Sequence, residues 1–378
     1  MRRRGSSAER ERGWYHRVAA LPSDMRLQTA PGRIPRIGRM DMTTADTLVA
    51  IAEDASARIR REDPESAARI EARYPELLEA LDWYLDAGHP DEAFRLATAL
   101  VPFWMSTKRI NDGDRWFARA LEQPIGSASP RARATYDHGY LVFWAGRYEL
   151  ADERFADARA QAELVGDSNL VALVLAGAAR VALGRDPAEA ARLCREALAA
   201  TEDTPASDGR SSALHVLGVA LQMAGDLEGA RDVMTSRLEL ARENGDEFIV
   251  WVESSNLSMV ERQLGNLGRA EELSREALRI VQARGDAMAI PWIINGLAAV
   301  TAAKGELERA ATLNGMAAAM LERAGGEWPP DEREQYEGTL AAIEAGLAPD
   351  AIEVARASGA AMSMEQGVAY ALSGAASG

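Results

Sequence analysis

Apolar residues in this chain recur at helical rather than strand spacing. Leu267, Ala270, Leu273, Ala277, Leu278 and Val281 fall on one face of a helix, and Leu227, Ala230, Val233, Met234, Leu238 and Ala241 do the same one unit earlier. A glycine stands between such stretches at Gly146, Gly184, Gly225, Gly265 and Gly305, at intervals of 38, 41, 40 and 40 residues. Five residues after the glycine comes Ala151, Ala230, Ala270 or Ala310, and three of the units place Ala158, Ala277 or Ala317 seven further on, where Arg237 breaks the run. Seven residues before it the side chain is always small: Gly139, Gly177, Gly218, Ser258 or Ala298.

Each choice has a physical reason. The glycine ends a helix in a left-handed turn that other residues adopt only at a cost. The small residues on either side let two antiparallel helices approach closely. No single pair can bury its apolar stripe alone, so the pairs must stack. The expectation is an all-α fold, a right-handed α-solenoid of antiparallel helix pairs in units of about 40 residues. The spacing resembles the tetratricopeptide repeat, with units somewhat longer than usual, which implies longer helices or longer linkers.

Residues 124–325 hold five such repeats. Residues 45–123 read as an N-terminal helical part in the same phase, with Gly113, Phe117 and Ala120 placed as if Lys108 were the anchor. Residues 326–378 read as capping helices: Pro329 and Pro330 can only precede or open a helix, and Ser363 with Gln366 forms a capping-box signature. The stretches 48–121 and 351–372 are also similar to the helical C-terminal region of large bacterial signal-transduction ATPases, including LuxR-type regulators. That resemblance implies a sensor arm that binds an inducer or partner. It does not bring ATPase or DNA-binding activity with it, because the chain has no G-x-x-x-x-G-K-[ST] loop and nothing after Leu372 reads as a helix-turn-helix. The expectation is therefore a stand-alone sensor, or a remnant whose ATPase or DNA-binding half is a separate protein.

Composition narrows the function further. The formal charge of -15 is uneven, since residues 1–40 hold ten Arg against Glu9, Glu11 and Asp24. Residues 1–44 read as a basic, disordered tail, and the acidic remainder repels phosphate backbones. A DNA-associated regulator acting through the basic arm is the alternative reading. A single cysteine, Cys194, excludes an internal disulfide and reads as a buried small apolar residue. No apolar run is long enough for a membrane span, and the expected location is cytoplasmic.

No catalytic constellation emerges. His16, His89, His138 and His215 are isolated from one another, and Asp112 and Asp114 lack a calcium loop around them. No enzyme activity, metal or cofactor is expected. Recognition falls to the first helix of each pair, which lines the inner wall of such stacks. Arg133, Tyr136, Tyr140 and Trp144 form one polar-aromatic stripe, and His215, Gln222, Ser255, Arg262, Trp292 and Asn295 occupy inward positions in later units. That wall suits a protein or extended peptide, or a medium-sized small-molecule inducer.

Overall fold

In the computed structural model, residues 40–59, 64–204, 207–287, 289–323, 328 and 330–373 are described. The basic arm, His16 and the DNA-binding alternative that rests on them lie outside the described residues, apart from the last few positions before Thr44. The described residues form seventeen helices and no strand: α1 Met42–Ile59, α2 Pro64–Asp86, α3 Pro90–Ser106, α4 Ile110–Leu121, α5 Ala128–Trp144, α6 Tyr148–Val165, α7 Ser168–Leu183, α8 Pro187–Ala200, α9 Asp208–Met223, α10 Leu227–Glu243, α11 Glu247–Gln263, α12 Leu267–Arg284, α13 Ala289–Ala303, α14 Leu307–Arg323, α15 Pro330–Gly346, α16 Pro349–Ala360 and α17 Met364–Leu372. The first helix starts inside the stretch read as tail, because the Asp41 carboxylate accepts the Thr44 N–H at 2.9 Å and fixes the first turn.

The extra length of each unit goes into the helices. Those of residues 128–323 run to as many as 18 residues, while pairs such as α10–α11 and α11–α12 are joined by turns of only three. These turns depend on the left-handed backbone: φ is +77° at Gly146, +83° at Gly225, +84° at Gly265 and +83° at Gly305. Lys108, the residue that shares their phase, adopts φ +59° without being glycine.

The described residues fall into two compact units, one within residues 40–182 plus Arg192–Ala213, the other within Leu183–Ala191 plus residues 214–373. In the first, α1 packs on α2 and α3, α3 on α5, and α5 on α6. Trp104, Tyr84, Phe94, Phe103 and Phe117 are fully buried there. In the second, α11 packs on α12 and α13, α13 on α14 and α15, and α17 on α12, α13 and α14. Pro330 opens α15, and Ser363 and Gln366 make the reciprocal capping box at the start of α17.

The small positions are sockets for large ones. The Phe155 ring sits so close to two glycines that a Cβ would lie 2.9 Å from it at Gly139 and 2.7 Å at Gly177. Met234 fills the corresponding socket at Gly218, at 2.8 Å. In the next unit the socket and its filler are both serines, and Ser258 Oγ and Ser274 Oγ share a 2.7 Å hydrogen bond. The alanines five residues after each anchor, Ala151, Ala230, Ala270 and Ala310, are fully buried. Cys194 is buried too, and burial pushes its thiol up to about 12, leaving it a small apolar filler.

Two outcomes follow from this geometry. Lys108→Gly removes the cost of a left-handed lysine and stabilises the chain by about 0.5–1 kcal/mol in denaturant unfolding. Gly177→Leu overfills the Phe155 socket and destabilises by about 3 kcal/mol; paired with Phe155→Ala, it costs less than the sum of the two single changes.

Candidate functional site

A groove runs along first helices in each unit. In the unit beginning at Leu214 the groove encloses about 630 Å³ and is lined by Gln222 and Met223 of α9, Met259, Arg262 and Gln263 of α11, Ala299, Ala302 and Ala303 of α13, and Glu334, Gln335 and Gly338 of α15. Its floor is methionine and alanine, and its sides carry amides, with Gln222 Nε2 donating to Gln263 Oε1 at 3.3 Å. A narrow crevice bordered by Ser255, Arg262, Trp292, Gly296 and Gln335 adjoins it. Gln222, Ser255, Arg262 and Trp292, all inward positions on sequence grounds, therefore gather around Arg262.

Three other expected wall residues lie beneath the surface. Tyr136 and His215 are buried, and Asn295 is completely so. Each stands ten residues before its anchor glycine, as does Ser255, which borders the crevice, whereas Gln222 and Arg262 stand three before it and line the groove. Met259, Ala299, Ala302 and Ala303 complete the groove and were not singled out in the sequence. Their signal is the small or flexible side chains near the C-terminal ends of α11 and α13.

In the other unit a groove of about 700 Å³ is lined by Glu53, Asp91, Glu92, Arg95, Thr98, Arg133, Asp167 and Asn169, among others. Its cations are spoken for: Arg95 pairs with Glu53, and Arg133 Nε donates to Asp137 Oδ1 at 3.0 Å. The aromatic stripe beside it packs on itself. Tyr136 stacks on Tyr140 at 6.1 Å, Tyr140 meets Trp144 edge-on, and Arg133 and Arg180 lie over the two tyrosine rings. Asp112 and Asp114 are likewise engaged, accepting from Tyr74 Oη at 2.8 Å and lying 2.9 Å from His138 Nε2 respectively. Among the described residues no cluster of three or more metal-ligating side chains occurs. No described helix is long and apolar enough to cross a membrane.

The groove's central helix, α11, and the helix that follows it decide the family signature. Residues 255–283 match the tetratricopeptide repeat. Beyond that repeat, the chain is 29% identical over 264 residues to proteins named as helix-turn-helix-type transcriptional regulators of Mycobacterium tuberculosis and Mycobacterium bovis. The match covers 67% of this chain and 29% of theirs, so the chain spans under a third of those relatives. Among solved structures it is similar to a Rap protein complexed with Competence and Sporulation Factor, with a TM-score of 0.51 and 14% identity, over 82% of this chain and 85% of that one. It is also similar to the apo form of the quorum sensor NprR from B. thuringiensis, with a TM-score of 0.52 and 14% identity, over 82% and 83%. Likeness at that level of identity establishes the helical-repeat fold.

One constellation in the tetratricopeptide stack was hidden in the sequence. Arg237 of α10 ion-pairs with Glu253 of α11, and His215 Nδ1 of α9 lies 2.7 Å from the same carboxylate oxygen. Glu253 is wholly buried, and its Oε2 has no hydrogen-bond partner among the described residues. Burial opposes its ionisation most strongly, but the Arg237 charge and the His215 hydrogen bond outweigh that and hold the carboxyl below its usual range. The signal was present twice, since Arg237 and Glu253 both occupy places where other units write an apolar residue (Ala158, Ala277 and Ala317; Ala134, Ala213 and Ile293).

Arg237→Ala strands a buried carboxylate and costs about 3–5 kcal/mol, whereas Arg237→Ala with Glu253→Ala recovers most of that loss in denaturant unfolding. Because the folded Glu253 titrates low, its contribution is complete above about pH 4.3 and is lost as pH falls through the folded value. The double-alanine variant lacks that acid-side decline.

Proposed function

We propose that this chain is a sensor module that binds an extended peptide, or a peptide-like segment of a partner protein, in the groove along α9, α11, α13 and α15. The observation that carries this reading is the lining itself. A volume of about 630 Å³ falls in the range of ligand sites, roughly 300–1,000 Å³. The amides of Gln222, Gln263 and Gln335 offer donors and acceptors matched to a peptide backbone, while Met223, Met259 and the alanines accept side chains without demanding one shape. The repeat fold is also that of a Rap protein complexed with Competence and Sporulation Factor and of the quorum sensor NprR, which is consistent with an occupant of this kind.

The relatives named as transcriptional regulators support a regulatory setting. In that setting the chain acts as the arm resembling the C-terminal region of signal-transduction ATPases, and peptide occupancy is passed to a DNA-binding or ATPase part. Catalysis has no role in this scheme.

Gly338 gives a clean test. A Cβ built there meets nothing within 4 Å, and its backbone is ordinary helix. Gly338→Trp therefore fills the groove with an indole while leaving the fold intact. Capture of synthetic peptides by the immobilised chain is expected to fall at least tenfold, with the unfolding midpoint unchanged within about 2 °C. Undiminished capture overturns the groove assignment.

A further inference from the structure

Arg262 differs from the other arginines that face inward. Arg133 has Asp137, Arg237 has Glu253 and Arg95 has Glu53, each pairing a guanidinium with a carboxylate on the same or an adjoining helix. Arg262 is half-buried between α11 and its neighbours, yet among the described residues its guanidinium has neither a hydrogen bond nor an ion pair. Glu334, the acid among the groove-lining residues, is exposed and forms no ion pair with it. Burial alone acts on the Arg262 pKa and lowers it, with no carboxylate to raise it again.

A second donor points the same way. Trp292 is 6% exposed, borders the same crevice as Arg262, and its indole N–H is buried without an acceptor. The crevice they share holds only about 10 Å³, room for one water at Trp292, whereas the Arg262 guanidinium, with its five N–H donors, also lines the groove of about 630 Å³. The buried Trp292 N–H is costly to leave unsatisfied, and the Arg262 guanidinium, which solvent still reaches, carries a charge that no described carboxylate neutralises. The missing partner is an acceptor with two oxygens in one plane, which a guanidinium holds through paired hydrogen bonds.

We infer that the occupant of this groove carries a carboxylate, seated on Arg262. This rests on the groove reading above and names the chemistry it selects. The carboxylate has two sources in a peptide, the chain terminus and an acidic side chain.

Four synthetic hexapeptide pools separate these sources: with or without Asp and Glu, and with a free or an amidated C-terminus. Each is passed over the immobilised full chain, and retention is read by mass spectrometry. The wild type is expected to retain at least one carboxylate-bearing pool about 10- to 100-fold over the pool that has neither acid. Loss on amidation assigns the terminus, and loss on removing Asp and Glu assigns the side chain. Arg262→Gln is expected to level the four pools, and Arg262→Lys to keep part of the preference. Equal retention of all pools by the wild type, or a preference that survives Arg262→Gln, overturns the carboxylate inference. In that case the groove reading stands if Gly338→Trp still abolishes capture. Capture unaffected by Gly338→Trp, or no capture by the wild type at all, overturns both.

Discussion

Close approach between helices governs this molecule. Two helices can nest only where one surrenders its side chain, and the stack meets that condition by setting a glycine or serine opposite a phenylalanine, methionine or second serine. The left-handed turns serve the same end. With only three residues between helices, the chain must reverse without splaying the pair, and a positive φ at Gly146, Gly225, Gly265 and Gly305 does this. Lys108 keeps the same geometry without the residue suited to it, so the turn is imposed by the packing on either side.

Whatever depends on local backbone could be read from the residues. The anchor glycines, the buried alanines, the helix-opening Pro330 and the Ser363–Gln366 cap each act within a few positions along the chain, and a single sequence records them directly. The placement of the wall residues depends on neighbours some 40 positions away, which is why it was less legible. Tyr136, His215 and Asn295 lie on the same helical stripe as Gln222 and Arg262. Whether a stripe faces a gap or another helix is decided by the side chains of the next unit, not by its own periodicity.

The Arg237–Glu253–His215 cluster shows a further limit. Three helices contribute one group each, and none is remarkable alone. Only the substitution of charge for an apolar residue at two equivalent repeat positions marks it. Buried pairs of this type add little net stability, but they reject misaligned neighbours, because a shifted register would leave a carboxylate or guanidinium buried alone. In a stack whose other contacts are largely apolar, such a device distinguishes one interface from the rest. Arg262 makes the complementary case: the same kind of residue, with no acid paired to it among the described residues.

The ring of Phe155 occupies the hollows of two successive first helices, at Gly139 and Gly177. One side chain therefore belongs to two repeats at once, and neither can detach without exposing it to water. Residues 128–183 accordingly melt or fold as one block rather than helix pair by helix pair. A protease or a ribosome stalled between α6 and α7 would leave a large aromatic ring half-clothed, so the shortest self-sufficient fragment of this region is set by that ring and not by the repeat length.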